Sequence, residues 1–171
     1  MHPGHQVTGF APVSSRAAKI LVLGTAPSKA SLQRAQYYGH ARNAFWPIMA
    51  QLLGFDVQLP YDQRLQALVN ARLALWDVLA SCERATSADS DIVEATLQAN
   101  DIAGFVRSHG ELQAILLNGG KAEQLFRRHV APTLDTACVS IRRLPSTSPA
   151  HAAMRFEEKL AHWREAVGEF L

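Results

Sequence analysis

The segment KILVLGTAPSKASLQRAQYYGHARNAFWP, residues 19–47, passes from a short apolar run into a long polar and aromatic loop. Residues 19–24 are too few for a helix and include β-branched Ile20 and Val22, so they predict a buried strand closed by Gly24. Three more such runs follow at residues 73–76 (LALW), 114–117 (AILL) and 137–141 (ACVSI). Helical patterns separate them. Residues 43–53 predict a helix with Asn43 as N-cap and Pro47 in the first turn. Residues 62–71 predict another, and residues 90–109 one or two helices broken at Asn100-Asp101. Residues 120–130 predict a helix that Pro132 ends. Phe156, Leu160, Trp163 and Val167 form one apolar stripe near the C-terminus. Strands alternating with helices imply an α/β fold, a three-layer α/β/α sandwich on a four-stranded parallel sheet.

Residues 1–18 lack periodicity and are expected to be an irregular lead-in, with residues 19–171 as one domain. A chain of 171 residues with 48% hydrophobic composition can bury a full core. Charged residues make up 19%, too few for a disordered chain. No apolar run is long enough to span a bilayer, and the N-terminus has neither a basic nor an apolar leader region, so the cytosol is the expected compartment. Cys82 and Cys138 lack disulfide or metal-ligand spacing and are expected to be reduced core thiols. A net charge of +2 does not by itself indicate nucleic acid, although many cations are arginines, suited to phosphate.

Ligands of open parallel sheets sit at the carboxyl ends of the strands. That rule directs attention to four loops, at residues 25–43, 77–83, 118–121 and 145–152. The first gathers Tyr37, Tyr38, His40, Arg42, Asn43, Phe45 and Trp46. Aromatic rings beside amide and guanidinium groups make a pocket for a planar heterocycle, although Trp46, and less strongly Phe45, reads as a core anchor. The last loop, Pro145-Ser146-Thr147-Ser148-Pro149, is stiffened by two prolines and offers hydroxyls and backbone donors for a phosphate, with Arg142 and Arg143 just before it. Asn118-Gly119-Gly120-Lys121 places glycine between strand and helix, where backbone N–H groups face an anion. There is no GxGxxG, GxSxG, HExxH, or HxE with a matching CxxC, and the seven histidines are scattered. A binding pocket remains, or an enzyme that works by positioning and electrostatics.

The motif LGTAPSKASLQRAQYYGHARNAFWPI resembles the first motif of the hypoxanthine-DNA glycosylase family of the uracil-DNA glycosylase superfamily. The resemblance continues through Leu75-Trp76-Asp77-Val78-Leu79, through Asn118-Gly119-Gly120-Lys121-Ala122 and through LPSTSPAHA, in order, over most of the chain. It implies hydrolysis of the N-glycosidic bond of a deaminated base, hypoxanthine and in some members uracil, after the nucleotide is extruded from the duplex. It implies DNA containing a deaminated base as partner, no membrane, no metal or organic cofactor, and action as a monomer.

Carried over residue by residue, Asn43 is similar to the catalytic Asn that orients the attacking water, and Tyr38 to the aromatic that stacks on the base. Trp76, Asp77 and Asn118 are expected around the base. Arg42, Lys121, Arg143, Ser146, Thr147, Ser148 and His151 are expected to face DNA. Many relatives carry in the last loop a His that stabilises the leaving base, and Ser146 or Thr147 aligns there. Ala41 stands where Pro is usual, and His151 where Asn is usual. No carboxylate accompanies the first motif, so the oxocarbenium-like state is expected to lean on DNA phosphates and on Asn43 holding water. Two other readings are a uracil or G:T/U mismatch glycosylase and a non-catalytic nucleotide- or DNA-binding module on the same scaffold. An unrelated flavodoxin-like fold would leave the first motif to chance.

Overall fold

The computed structural model describes residues 4–135 and 137–171. Its elements run β1 (His5–Thr8), β2 (Ile20–Gly24), α1 (Lys29–Arg34), α2 (Phe45–Leu53), α3 (Tyr61–Asn70), β3 (Leu73–Asp77), β4 (Leu79–Arg84), β5 (Ile92–Ala99), α4 (Ile102–Ser108), β6 (Ala114–Asn118), α5 (Gly120–His129), β7 (Ser140–Leu144) and α6 (Phe156–Phe170). The order β3-β2-β6-β7 forms one sheet, parallel throughout. This is the predicted four-stranded parallel sheet.

The alternation within each central strand explains the layers. Leu21, Leu23, Ala74, Ile115 and Leu117 pack with Phe105 of α4 and Leu125 and Phe126 of α5. Ile20, Val22, Leu73, Leu75, Ala114 and Leu116 pack with Phe45, Ile48 and Met49 of α2, Leu68 of α3 and Trp163 of α6. Both faces of each strand are apolar because each is covered by helices. The C-terminal stripe behaves as expected: Leu160, Trp163 and Val167 are buried, with Phe156 at the edge of the cluster.

Several expectations need correction. The lead-in is not irregular: His5–Thr8 pairs antiparallel with β4, and Val13 bridges Leu75. Residues 92–99 form β5 rather than a helix, and only 102–108 are helical in that region. Strands β1, β4 and β5 make a second, antiparallel sheet, so residues 79–84 are strand where a loop was expected. This small sheet lays Val7, Leu79, Cys82 and Ile92 against the α4–α5 face. Residues 92–99 are strand because they pair antiparallel with β4, with Ile92 packed in the core and residues 93–95 exposed. The last strand lies at 140–144, three residues beyond its predicted start. Cys82 is buried as expected, but Cys138 is exposed, because it precedes that strand. No helix among the described residues is long and apolar enough to cross a membrane.

Candidate active site

The strand register builds the floor of the site. Gly24 is level with Asp77, Leu23 with Leu117, and Asn118 with Leu144. Asp77, Gly24, Asn118 and Leu144 therefore form one rung across the carboxyl edge of the sheet. Leu23 and Leu117 face the α4–α5 side, so the next residue on each strand faces the other way. Asp77 and Asn118 flank Gly24, which has no side chain. Neighbouring strands stand about 4.8 Å apart, so the two flanking backbones are separated by about 10 Å.

Tyr38 reaches into that gap. A Cβ at Gly24 would lie 2.6 Å from Asp77 Oδ1 and 3.1 Å from Tyr38 Oη. Tyr38 holds a left-handed backbone, with φ 55°, which is rare for an aromatic residue and costs about 1–3 kcal/mol. Its ring stacks on Phe45 at a centroid distance of 4.1 Å and an interplanar angle of 27°. Its hydroxyl is buried without a hydrogen-bond partner among the described residues. The Asn118 amide lies close enough to favour the phenolate, but burial and the neighbouring Asp77 outweigh it and push the phenol well above its usual range. The amide is already engaged, since Oδ1 accepts from the Thr147 N–H at 3.0 Å and Nδ2 donates to Thr147 Oγ1 at 3.0 Å.

Gly24→Ala must push Asp77 or Tyr38 out of place. We expect a stability loss of about 1–3 kcal/mol in urea unfolding, together with loss of any reaction on a ligand that reaches this floor. A destabilised variant that retains full activity would move the reacting group away from Gly24.

Asp77 is the most perturbed acid of the site. It is 5% exposed, and its carboxyl has no hydrogen-bond partner among the described residues; only its backbone oxygen accepts, from Asn100 Nδ2 at 2.8 Å. Burial, reinforced by Asp89 and opposed by Arg84, pushes its pKa up to about 7. Arg84 is itself buried, donates through Nη2 to the Pro27 carbonyl, and leaves Nη1 unpartnered among the described residues. Asp89 comes from the turn before β5; burial raises its pKa, while the Thr25 hydroxyl, Arg84 and Lys121 pull it down. The first loop itself carries no carboxylate; the acid of the site comes from the neighbouring strand. Asp77 is distant in sequence but one strand away in space.

The wall opposite is made by two loops tied together. Asn43 Oδ1 accepts from the Phe45 N–H at 2.9 Å, and the Ala44 N–H donates to the Thr147 carbonyl at 2.9 Å. The helix begins at Phe45 with Ala44 in the cap position and no side-chain cap bond, so Asn43 is not the predicted N-cap; it stands one residue before the cap and closes a turn onto the Phe45 N–H. A turn closed by the Asn43 N–H on the His40 carbonyl sets that offset. Gly119, at φ 98°, brings the β6 end against the loop: a Cβ there would lie 2.9 Å from Ser146 Cβ. Ser146 Oγ accepts from the Ser148 N–H, and Ser148 Oγ from the Ala150 N–H. Beneath them lies Lys159, buried, with Nζ 3.5 Å from the Ser148 carbonyl and its pKa lowered by burial.

These parts enclose a cavity of about 380 Å³, within the range of small-ligand sites. Tyr38, Asn43, Asp77, Asn118, Ser146, Thr147, Ser148 and His151 all line it.

The family model of the uracil DNA glycosylase superfamily matches residues 11–171. The chain belongs to the uracil DNA glycosylase superfamily. It is 33% identical over 160 residues to a hypoxanthine DNA glycosylase of Methanosarcina acetivorans, covering 93% of this chain and 96% of the relative. It is 34% identical over 115 residues to a hypoxanthine DNA glycosylase of Methanosarcina barkeri, covering 67% and 72%. A solution NMR structure from Methanosarcina acetivorans, provisionally assigned as a uracil DNA glycosylase, superposes with a TM-score of 0.78 at 30% identity, covering 94% and 98%.

Within this superfamily member, not every expected residue reaches the cavity. Trp76 is absent from its lining; its Nε1 donates to the Phe10 carbonyl at 3.2 Å and its ring tilts against Phe105 at 5.8 Å. Strand alternation turns it away from Asp77. Thr147 is 1% exposed and fastened to Asn118, so its hydroxyl holds the loop rather than facing outward. Arg42, Lys121 and Arg143 lie outside the lining. Arg142 pairs with Glu169 and Arg143 with Glu123, and Arg143 Nη2 approaches Gly120. Tyr37 does border the cavity but is otherwise core: its hydroxyl donates to the Ala11 carbonyl, and its carbonyl accepts from Trp46 Nε1. Phe10 and residues 87–90 line the cavity unforeseen, because one lay in the supposed lead-in and the others at the start of a supposed helix.

Proposed function

We propose that this superfamily member is a monofunctional DNA glycosylase that hydrolyses the N-glycosidic bond of a deaminated base, hypoxanthine first, in base excision repair. The observation that carries this reading is the convergence of Asn43, Tyr38, Asp77 and Asn118 on one cavity at the strand ends. The names of the two Methanosarcina relatives support hypoxanthine as the base.

Stacked duplex hides the glycosidic bond, so the nucleotide is extruded into the cavity. Tyr38, braced from behind by Phe45, offers its ring to the base. Asn43 Oδ1 has two lone pairs, of which Phe45 takes one. The other holds a water against the anomeric carbon. A neutral amide is a weak base, so Asn43 acts by orienting the water while the sugar develops oxocarbenium character.

Ser146 and Ser148 use their lone pairs within the loop and keep their O–H donors for phosphate. Replacing both by alanine is expected to weaken binding to damaged and undamaged duplex alike while leaving the ranking of damaged bases intact. Fluorescence anisotropy over a salt series measures this, with each lost phosphate contact lowering the log–log slope by about 0.9. Unchanged affinity with an altered base preference would move these serines into the base site.

The reading is tested with duplexes carrying inosine, uracil, xanthine or mismatched thymine, incubated with pure protein and then cleaved by alkali. Alkali-labile sites at inosine are expected. Cleavage at uracil alone would make the protein a uracil glycosylase, and cleavage of none would favour a binding module.

A further inference from the structure

We propose that Asp77 is the proton donor to the departing base. The inference rests on the glycosylase reading above and adds to it the residue that assists base departure.

The geometry carries the argument. The last loop offers no free acid to the cavity through Ser146 or Thr147. Thr147 is bound to Asn118 through both its N–H and its hydroxyl, and Ser146 Oγ serves its own loop. Neither is an acid. Asp77 lines the same cavity from the floor, nine-tenths buried, with no protein partner for its carboxyl among the described residues. It lies at the Tyr38 end of the site, against the gap over Gly24, where a base stacked on Tyr38 presents its edge. Asn43 lines the same cavity from the turn whose next residue, Ala44, donates to the Thr147 carbonyl.

The groups around Asp77 raise its pKa to about 7, so a substantial fraction of the carboxyl carries its proton near neutral pH. Its burial and the Asp89 carboxylate favour the protonated form, and Arg84 on β4 opposes them. Tyr37 and Tyr38 from the first loop are themselves held in the neutral form by burial, with Asp77 adding to the effect. Asn118 on β6 is uncharged, and Lys121 acts on Asp89. A neutral carboxyl donates to the keto oxygen that distinguishes a deaminated base. An ionised one would repel that acceptor and welcome the amino group of an intact adenine or cytosine.

The step balances. The C1′–N bond breaks and its electron pair passes to the base. The Asp77 proton moves to the base, which leaves neutral. Water bonds to C1′ through oxygen and releases its proton to solvent, from which the Asp77 carboxylate is protonated again.

The test is single-turnover excision from inosine duplex between pH 5.5 and 9, with wild type, Asp77→Asn and His151→Gln. Asp89 and His151 also line the cavity, and His151 stands exposed at its rim. The wild-type rate is expected to be flat at low pH and to fall about tenfold per unit above the Asp77 pKa. Asp77→Asn is expected to be slower by about 100-fold at pH 6, to lose the pH dependence, and to approach wild type at pH 9. Its affinity for abasic-site duplex should match wild type, which shows an intact fold. A wild-type profile in Asp77→Asn, or loss of the descending limb in His151→Gln instead, overturns the proposal while the glycosylase reading stands. A wild type inert on inosine, uracil and xanthine at every pH overturns both.

Discussion

Asn43→Ala is expected to slow single-turnover excision of hypoxanthine by about 30- to 1000-fold, equivalent to about 2–4 kcal/mol of barrier. The variant loses the acceptor that orients the water, while the phosphate contacts of the last loop stay in place. Affinity for abasic-site duplex should therefore change little. Asn43 also holds the turn before α2 through the Phe45 N–H at 2.9 Å, so alanine should cost about 1 kcal/mol of stability as well. Asn43→Ser separates the two losses, because serine keeps an acceptor oxygen for that N–H but is too short to hold the water. Stability should return and the rate should not. If rate and stability recover together, Asn43 holds the turn and no more.

The second large effect concerns pH and stability. Asp77 is raised to about 7 in the fold, first by burial, whereas an unfolded chain ionises it near 3.9. Between those values the folded protein binds more protons than the unfolded one, so this group makes stability fall as pH rises, and the loss is complete above about 7. The full penalty is about 4 kcal/mol at most. Asp77→Asn removes the ionisation while keeping the shape. It should therefore raise the unfolding free energy above pH 7.5 by up to that amount and change it little near pH 4. Urea unfolding of both proteins across that range checks this. A variant less stable than wild type at pH 8 would mean that the ionised carboxylate is held by a favourable partner. A protein that keeps so costly a carboxyl at its pocket floor gives up stability for function.

Much of this organisation was legible in the chain because it follows from local pattern. Strands β2, β3 and β6 are continuous apolar runs, and their burial on both faces is what such runs require. The first loop was recognisable because Tyr38, Asn43 and the aromatic pair after it lie within a few residues of one another. What stayed hidden depends on contacts distant in sequence. The antiparallel sheet joins residues 5–8 to 79–84 and 92–99, and no short window carries that pairing. Residues 87–90 reach the cavity only because β4 and β5 form a hairpin. Trp76 and Asp77 are adjacent in sequence and face opposite sides of the sheet, a distinction that needs the register with Leu23 and Gly24. The protonation of Asp77 is likewise a property of burial, which the residue's name does not reveal.

The most direct measurement is chromatographic detection of free base from inosine duplex at saturating wild-type protein, beside Asn43→Ala. The account predicts one hypoxanthine released per inosine by wild type, with an intact strand that breaks only on alkali, and far slower release by the variant. Strand scission without free hypoxanthine, or equal release by both proteins, would contradict it.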